Sequence, residues 1–307
     1  MKEEFKTSIG GQALIEGVMM RGPEKTAMAV RLPDGEIDVE EWATASPNAW
    51  YKKAPFIRGC FNMVDSMIVG YKCLMKAVEK AGLEDDEPSK FEKWLADKMG
   101  KSLSTVVSVV ALAGGLGIAI FLFMVLPTFL VGLFQQWIAG SALRALLEGI
   151  VKIAIFLTYL AAVSRMKEIR RVFEYHGAEH KTIACYEKKL PLTVENVRGQ
   201  ARFHPRCGTS FLLIVLVVSI LMTSVISINH VLLRVLIKLL LLPLVVAVSY
   251  EIIKWAGRHD NVFTRAISAP GLWSQRLTTF EPDDEQIEVA IASMQAVIPQ
   301  ETGTDEW

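Results

Sequence analysis

Two long stretches of the chain carry no charge: Ser102 to Leu143, and Cys207 to Leu233. A membrane-spanning helix needs roughly 20 mostly apolar residues, so either stretch can cross a bilayer. The first predicts a span over about Ser104 to Leu126, with Gly114, Gly115 and Gly117 inside it and Pro127 at its outer end. A second span follows between Arg144 and Arg165, interrupted by Glu148 and Lys152. A third runs from about Ser210 to Ile228. A fourth lies between Val231 and Ile253 and contains Arg234, Lys238 and Pro243. The pattern predicts a mainly α, polytopic membrane protein of about four transmembrane helices in two hairpins.

The polar segments read differently. In residues 1–50, Met28, Val30 and Leu32 alternate with smaller or polar residues. Pro33-Asp34-Gly35 supplies turn chemistry, and Ile37 and Val39 alternate again. That predicts a β-hairpin, hence a small α+β N-terminal region. Residues 55–82 place Phe56, Met63, Met67, Tyr71, Leu74 and Val78 on one helical stripe, predicting an amphipathic helix that ends near Gly82. Its apolar face suits the membrane surface, with Arg58, Lys72, Lys76 and Lys80 near anionic lipid. Glu84-Asp85-Asp86-Glu87-Pro88 reads as a linker, and a further helix starts near Ser89. A last helix is predicted over about 284–297. The expected organisation is therefore an N-terminal region 1–88, a first hairpin 89–164, a polar loop 165–209, a second hairpin 210–256 and a tail 257–307.

Charge settles the expected sidedness. Segment 165–206 holds ten Lys or Arg, whereas the opposite connections offer only Arg144, Lys152, Arg234 and Lys238. Cytoplasmic loops are enriched in Lys and Arg. The expectation is a multi-pass cell-membrane protein with both termini and the 165–209 loop in the cytosol. The first residues, MKEEFKTSIG, lack the apolar core of a signal peptide. Net charge is zero, so nothing points to nucleic acid. Cys60, Cys73, Cys185 and Cys207 read as thiols on a reducing side. Glu148, Lys152, Arg234 and Lys238 are read as snorkelling to the outer interface. The sharper alternative is a polar cavity among the helices.

The candidate chemistry lies in the polar loop. His176-Gly177-Ala178-Glu179-His180 places two histidines four residues apart, on one face of a helix, in the order H-x-x-E-H of inverted zincins. His176 and His180 would be metal ligands, with Glu179 as the catalytic base. Zinc takes four ligands, three of them from protein in catalytic sites. His204, Cys207 and Glu251 are the further ligand candidates, and Glu187 shares a helical face with His180. Two sets stay open: His176, His180, His204 and Cys207 as a closed structural site, or His176, His180 and Glu251 with one position free. The plain alternative is a solvated basic helix whose histidines pair with Glu174, Glu179 or lipid phosphate.

Four stretches resemble the YqhQ family of bacterial membrane proteins: Gly10 to Pro23 (GGQALIEGVMMRGP), Tyr175 to Thr182 (YHGAEHKT), His204 to Phe211 (HPRCGTSF) and Pro270 to Gln275 (PGLWSQ). The resemblance spans about residues 8–290. It implies an integral membrane protein of a kind often described as a predicted metal-dependent enzyme. The opening motif further suggests that Glu16 and Arg21 lie over the 176–207 loop.

Three functions follow as expectations. The first ranked is a scaffold or chaperone-like partner of other membrane proteins, or a homo-oligomer, with the His/Glu/Cys cluster as a fold lock that zinc could occupy. The second is a membrane-embedded zinc-dependent hydrolase. The third is a transporter or channel subunit, which requires a continuous polar path past Glu148, Lys152, Arg234 and Lys238.

Overall fold

The computed structural model describes residues 5–44, 50–83, 103–134, 136–138, 140–224, 226, 228, 230–259, 261–301 and 303–306. The linker expected at 84–88 and the helix start near Ser89 lie outside them. Four strands come first: β1 (Gly10–Leu14), β2 (Gly17–Arg21), β3 (Lys25–Arg31) and β4 (Ile37–Ala43). The helices are α1 (Trp50–Lys53), α2 (Ile57–Lys80), α3 (Leu103–Ile120), α4 (Leu126–Leu133), α5 (Ser141–Val163), α6 (Lys167–Glu187), α7 (Val194–Arg198), α8 (Gly208–Thr223), α9 (Val231–Arg258), α10 (Val262–Thr278) and α11 (Asp284–Val297). They fall into two compact units, one of residues 1–83, 159–218 and 243–307, the other of residues 84–158 and 219–242.

The first unit is built on an antiparallel meander in the order β1-β2-β3-β4. The expected β3–β4 hairpin forms, with Arg31 opposite Ile37. Gly35 takes a positive φ of 91° in its loop, and the Asp34 carboxylate accepts the Glu36 N–H. The sheet goes further than expected, because β1 and β2 form a second hairpin through Ile15 and Glu16. Both faces of the sheet are covered. Val18, Met20, Ala27 and Ala29 pack with Tyr175 and Ala178 of α6 and with Ile287, Ala290 and Met294 of α11. Leu14, Met19, Met28 and Val30 pack against Cys73 and Ala77 of α2. Residues from before the first apolar helix, from between the second and third, and from after the last thus share one core.

Helix α2 matches the amphipathic prediction and ends at Lys80, two residues before Gly82, whose φ is +67°. Its polar side holds the sheet through Lys80 to Asp38 and Lys76 to Glu40. Its first turns lie along α9. Asn62 donates to the Tyr250 hydroxyl at 2.9 Å, and Gly59 abuts Tyr250 and Ala247. Phe61, Val64, Ile68, Tyr71 and Met75, at helical spacing, stay exposed.

Three helices are long and apolar enough to cross a membrane: Val110–Leu133, Leu143–Val163 and Leu232–Arg258. The first continues past Pro127, where the sequence predicted its end. A π-turn at Phe121–Val125 widens the helix just before the proline. A widened turn accommodates the ring and the missing N–H that would otherwise break the ladder. The expected third span is shorter than predicted: α8 is apolar but has 16 residues. At 1.5 Å per residue it is about 24 Å long, short of the roughly 30 Å hydrocarbon core.

In the second unit the ionisable residues do not reach outward to an interface. Glu148, Lys152, Arg234 and Lys238 are buried around one void with room for about a single water. Glu148 accepts from Lys238, from Arg234 at 3.3 Å and from the Thr128 hydroxyl at 2.7 Å.

Candidate metal centre

Helix α6 carries the H-x-x-E-H segment, and the rest of the site is wrapped around it. Gly177 lets the 278–282 segment cross the helix: a β-carbon there would collide with the Phe280 carbonyl oxygen. The crossing brings the Thr278 carbonyl to 2.8 Å from His176 Nδ1. His180 Nδ1 lies 2.6 Å from the Arg202 carbonyl. A ring nitrogen beside a carbonyl must carry a proton, so Nε2 is the nitrogen that each histidine presents to the site. His176 Nε2 is 3.2 Å from Cys207 Sγ. Ligand atoms of His176, His180 and Cys207 all lie within 4.8 Å of one another.

Cys207 directly precedes α8 and faces both histidines. Its position is fixed by a residue outside the polar loop. The Gln275 side chain, fully buried, accepts from the His204 N–H at 2.8 Å and donates to the His204 carbonyl at 2.7 Å and the Ser210 hydroxyl at 3.0 Å. Gly271, one turn earlier, leaves room for Ser210. The PGLWSQ motif is thus the clamp on the HPRCGTSF turn. Gln275 was not singled out in the sequence, although it sits in one of the four characteristic stretches.

Glu179 is buried on the same helix. A β-carbon on Gly11 would lie 2.9 Å from its carboxyl carbon, and the Gly11 N–H bonds to the carboxylate. Burial pushes the Glu179 carboxyl above its ordinary value, against the opposing pull of His176 and His180. Burial works against the charged forms of His176 and Cys207, but their mutual attraction outweighs it. The imidazole is raised to about 9 and the thiol lowered well below its ordinary 9. A cavity of about 120 Å³ lies over the cluster, lined on one side by residues Thr7 to Gly11.

Two of the expected ligands are engaged elsewhere. His204 lines the same cavity, but its Nε2 faces the Glu187 carboxylate at 3.5 Å and Arg206 at 3.4 Å, and burial lowers its pKa. Glu187 is itself held by Arg206 and the Thr7 N–H. Glu251 of α9 binds the Arg58 guanidinium and the Phe56 N–H at 3.1 Å, and does not join the His176–His180–Cys207 group. Glu16 does meet α6: in a turn with φ +50° it accepts from Arg171 at 2.6 Å and from the Tyr175 hydroxyl at 3.1 Å. Arg21 lies on a separate hollow of the sheet, with Gln12, Pro23 and Ser66.

Together these features define a helical protein with membrane-length apolar helices and a sheet-backed unit enclosing a buried His/Glu/Cys cluster. The chain belongs to the family described as protein of unknown function DUF1385, which it matches over residues 54–300. It is 34% identical over 308 residues to the uncharacterized protein YqhQ of Bacillus subtilis (strain 168), an overlap covering 99% of this chain and 96% of that one. No solved structure matches it.

Proposed function

We propose that His176, His180 and Cys207 hold one divalent metal ion of the zinc class, in a hydrolytic site where Glu179 carries protons. The observation behind this is the anchoring of both Nδ1 atoms on backbone carbonyls, which turns both Nε2 atoms toward one sulfur. Backbone or carboxylate partners on the far ring nitrogen are the usual support of metal-ligating histidines, and mixed His/Cys donors suit zinc. The fit is close: ligand atoms around a tetrahedral zinc are about 3.3–3.6 Å apart, so the group within 4.8 Å closes by about 1 Å. Three donors leave a fourth position free. A metal there supplies Lewis acidity.

The remaining chemistry belongs to the chain. Glu179, raised by burial, can take a proton at its carboxylate and return it to a leaving group. The Gly11 N–H holds that carboxylate in place, and its burial keeps it from bulk water. The 3.2 Å contact of His176 with Cys207 also suits a thiolate–imidazolium nucleophile. The two readings part at His180, which a metal needs and a dyad does not.

One sidedness for these segments is part of the same reading. The packing of the sheet, α6 and α11 into one core supports it, and the Lys/Arg excess of 165–206 supports the cytosol as the face they share.

A fluorescent hydroxamate, which chelates zinc only through a free coordination position, tests the reading. The wild type should bind it one to one and lose it on chelation or on His180→Ala. Metal-replete protein that ignores the hydroxamate has a closed site, and the cluster is then a structural lock within a scaffold.

A further inference from the structure

A hollow of about 580 Å³ in the first unit lies beside the metal centre and outside the chemistry assigned above. Its walls are of two kinds. Phe203, Ile253 and Leu272 make an apolar side. Lys6, Lys188, Arg206 and Arg265 make a basic one, and Glu187 is the acid among the described lining residues. Glu187 is consumed by Arg206. Among the described residues Lys6 and Lys188 bond neutral oxygens, the Gly257 carbonyl at 3.2 Å and the Gln200 amide at 2.8 Å. These two ammonium groups therefore bring the hollow positive charge that no described carboxylate pairs.

Its depth is set by α9 and α10. Ile253, Ala256 and Gly257 are in the last turns of α9, the third membrane-length helix. Trp255, Val262, Phe263 and Trp273 are exposed on the same two helices. Exposed tryptophans at the end of an apolar helix mark the level of the lipid headgroups.

We infer that this hollow binds the phosphate headgroup of an anionic membrane phospholipid, with Lys6 and Lys188 on the phosphate and the Ile253–Leu272 wall along the acyl chain. Basic pockets at the cytoplasmic ends of membrane helices bind such headgroups. A free phosphate ion shares the charge but would leave the apolar wall and most of the volume unused. The inference does not depend on the metal, because none of the proposed ligands lines the hollow. It does place the headgroup against His204 and Arg206, which also line the cavity over the metal centre.

Native mass spectrometry of the full chain in detergent tests it, with phosphatidylglycerol, phosphatidylcholine or inorganic phosphate as the probe. The wild type should retain phosphatidylglycerol over phosphatidylcholine, and Lys6→Glu/Lys188→Glu should cut that preference on the order of tenfold. Millimolar phosphate should not displace the lipid. Equal retention of the two lipids by the wild type overturns the inference without any variant. An unchanged preference in a folded double variant overturns the site, and displacement by phosphate overturns the lipid source.

Discussion

Gly11 and Glu179 touch across the site, the strand backbone donating to the carboxylate where a side chain would otherwise stand. Gly11→Ala should therefore push Glu179 aside. Overpacking of this kind costs about 1–3 kcal/mol, read as a lower midpoint in chemical denaturation. Metal content should be unchanged, since a β-carbon on Gly11 would press first on Met19 and Glu179 and not on a proposed ligand. Wild-type stability in the variant would mean that Glu179 is not held there.

Gly177 makes the complementary prediction. Its hydrogen allows the Phe280 carbonyl to pass and so delivers Thr278 to His176 Nδ1. Gly177→Ala should weaken metal binding about 10–100-fold, the usual effect of losing a ligand's outer partner. Competition with a zinc-responsive chelator dye measures it. Unaltered affinity would separate the 278–282 crossing from the metal centre.

Much of this was legible in advance, and the misses have physical causes. The spacing of His176, Glu179 and His180 fixes a shared helical face, and Pro33-Asp34-Gly35 marks the β3–β4 turn. Strand β2 escaped because Val18-Met19-Met20 is buried on both faces of the sheet, so the alternation that announces a strand is missing. Glu251 drew attention as an acid at the end of a span. Nothing local shows that Arg58, 193 residues away, takes it. His204 and Cys207 are three residues apart, yet one turns to Glu187 and the other to His176. That divergence is set by the distant Gln275.

The buried charges of the second unit should behave as a set. Glu148→Ala leaves Lys238 and Arg234 without their carboxylate, and breaking a buried pair from one side costs roughly 3–5 kcal/mol. Glu148→Leu combined with Lys238→Leu should recover part of that loss. Thermal unfolding in detergent distinguishes the two. A neutral single variant would show the network to be solvated.

The exposed stripe of α2 should face lipid. A single cysteine at Ile68, in a chain whose other cysteines are replaced by alanine, should resist a membrane-impermeant maleimide in inside-out vesicles. One at Lys72 should react. Equal labelling of both would remove α2 from the membrane surface.

The central claim is that three side chains converge on one metal ion. Elemental analysis of the purified full chain tests it most directly, comparing wild type with His176→Ala/His180→Ala and Cys207→Ser. About one zinc-class ion per chain in the wild type, lost in the double variant and depleted in Cys207→Ser, is the predicted result. Equal, substoichiometric metal in all three would contradict it.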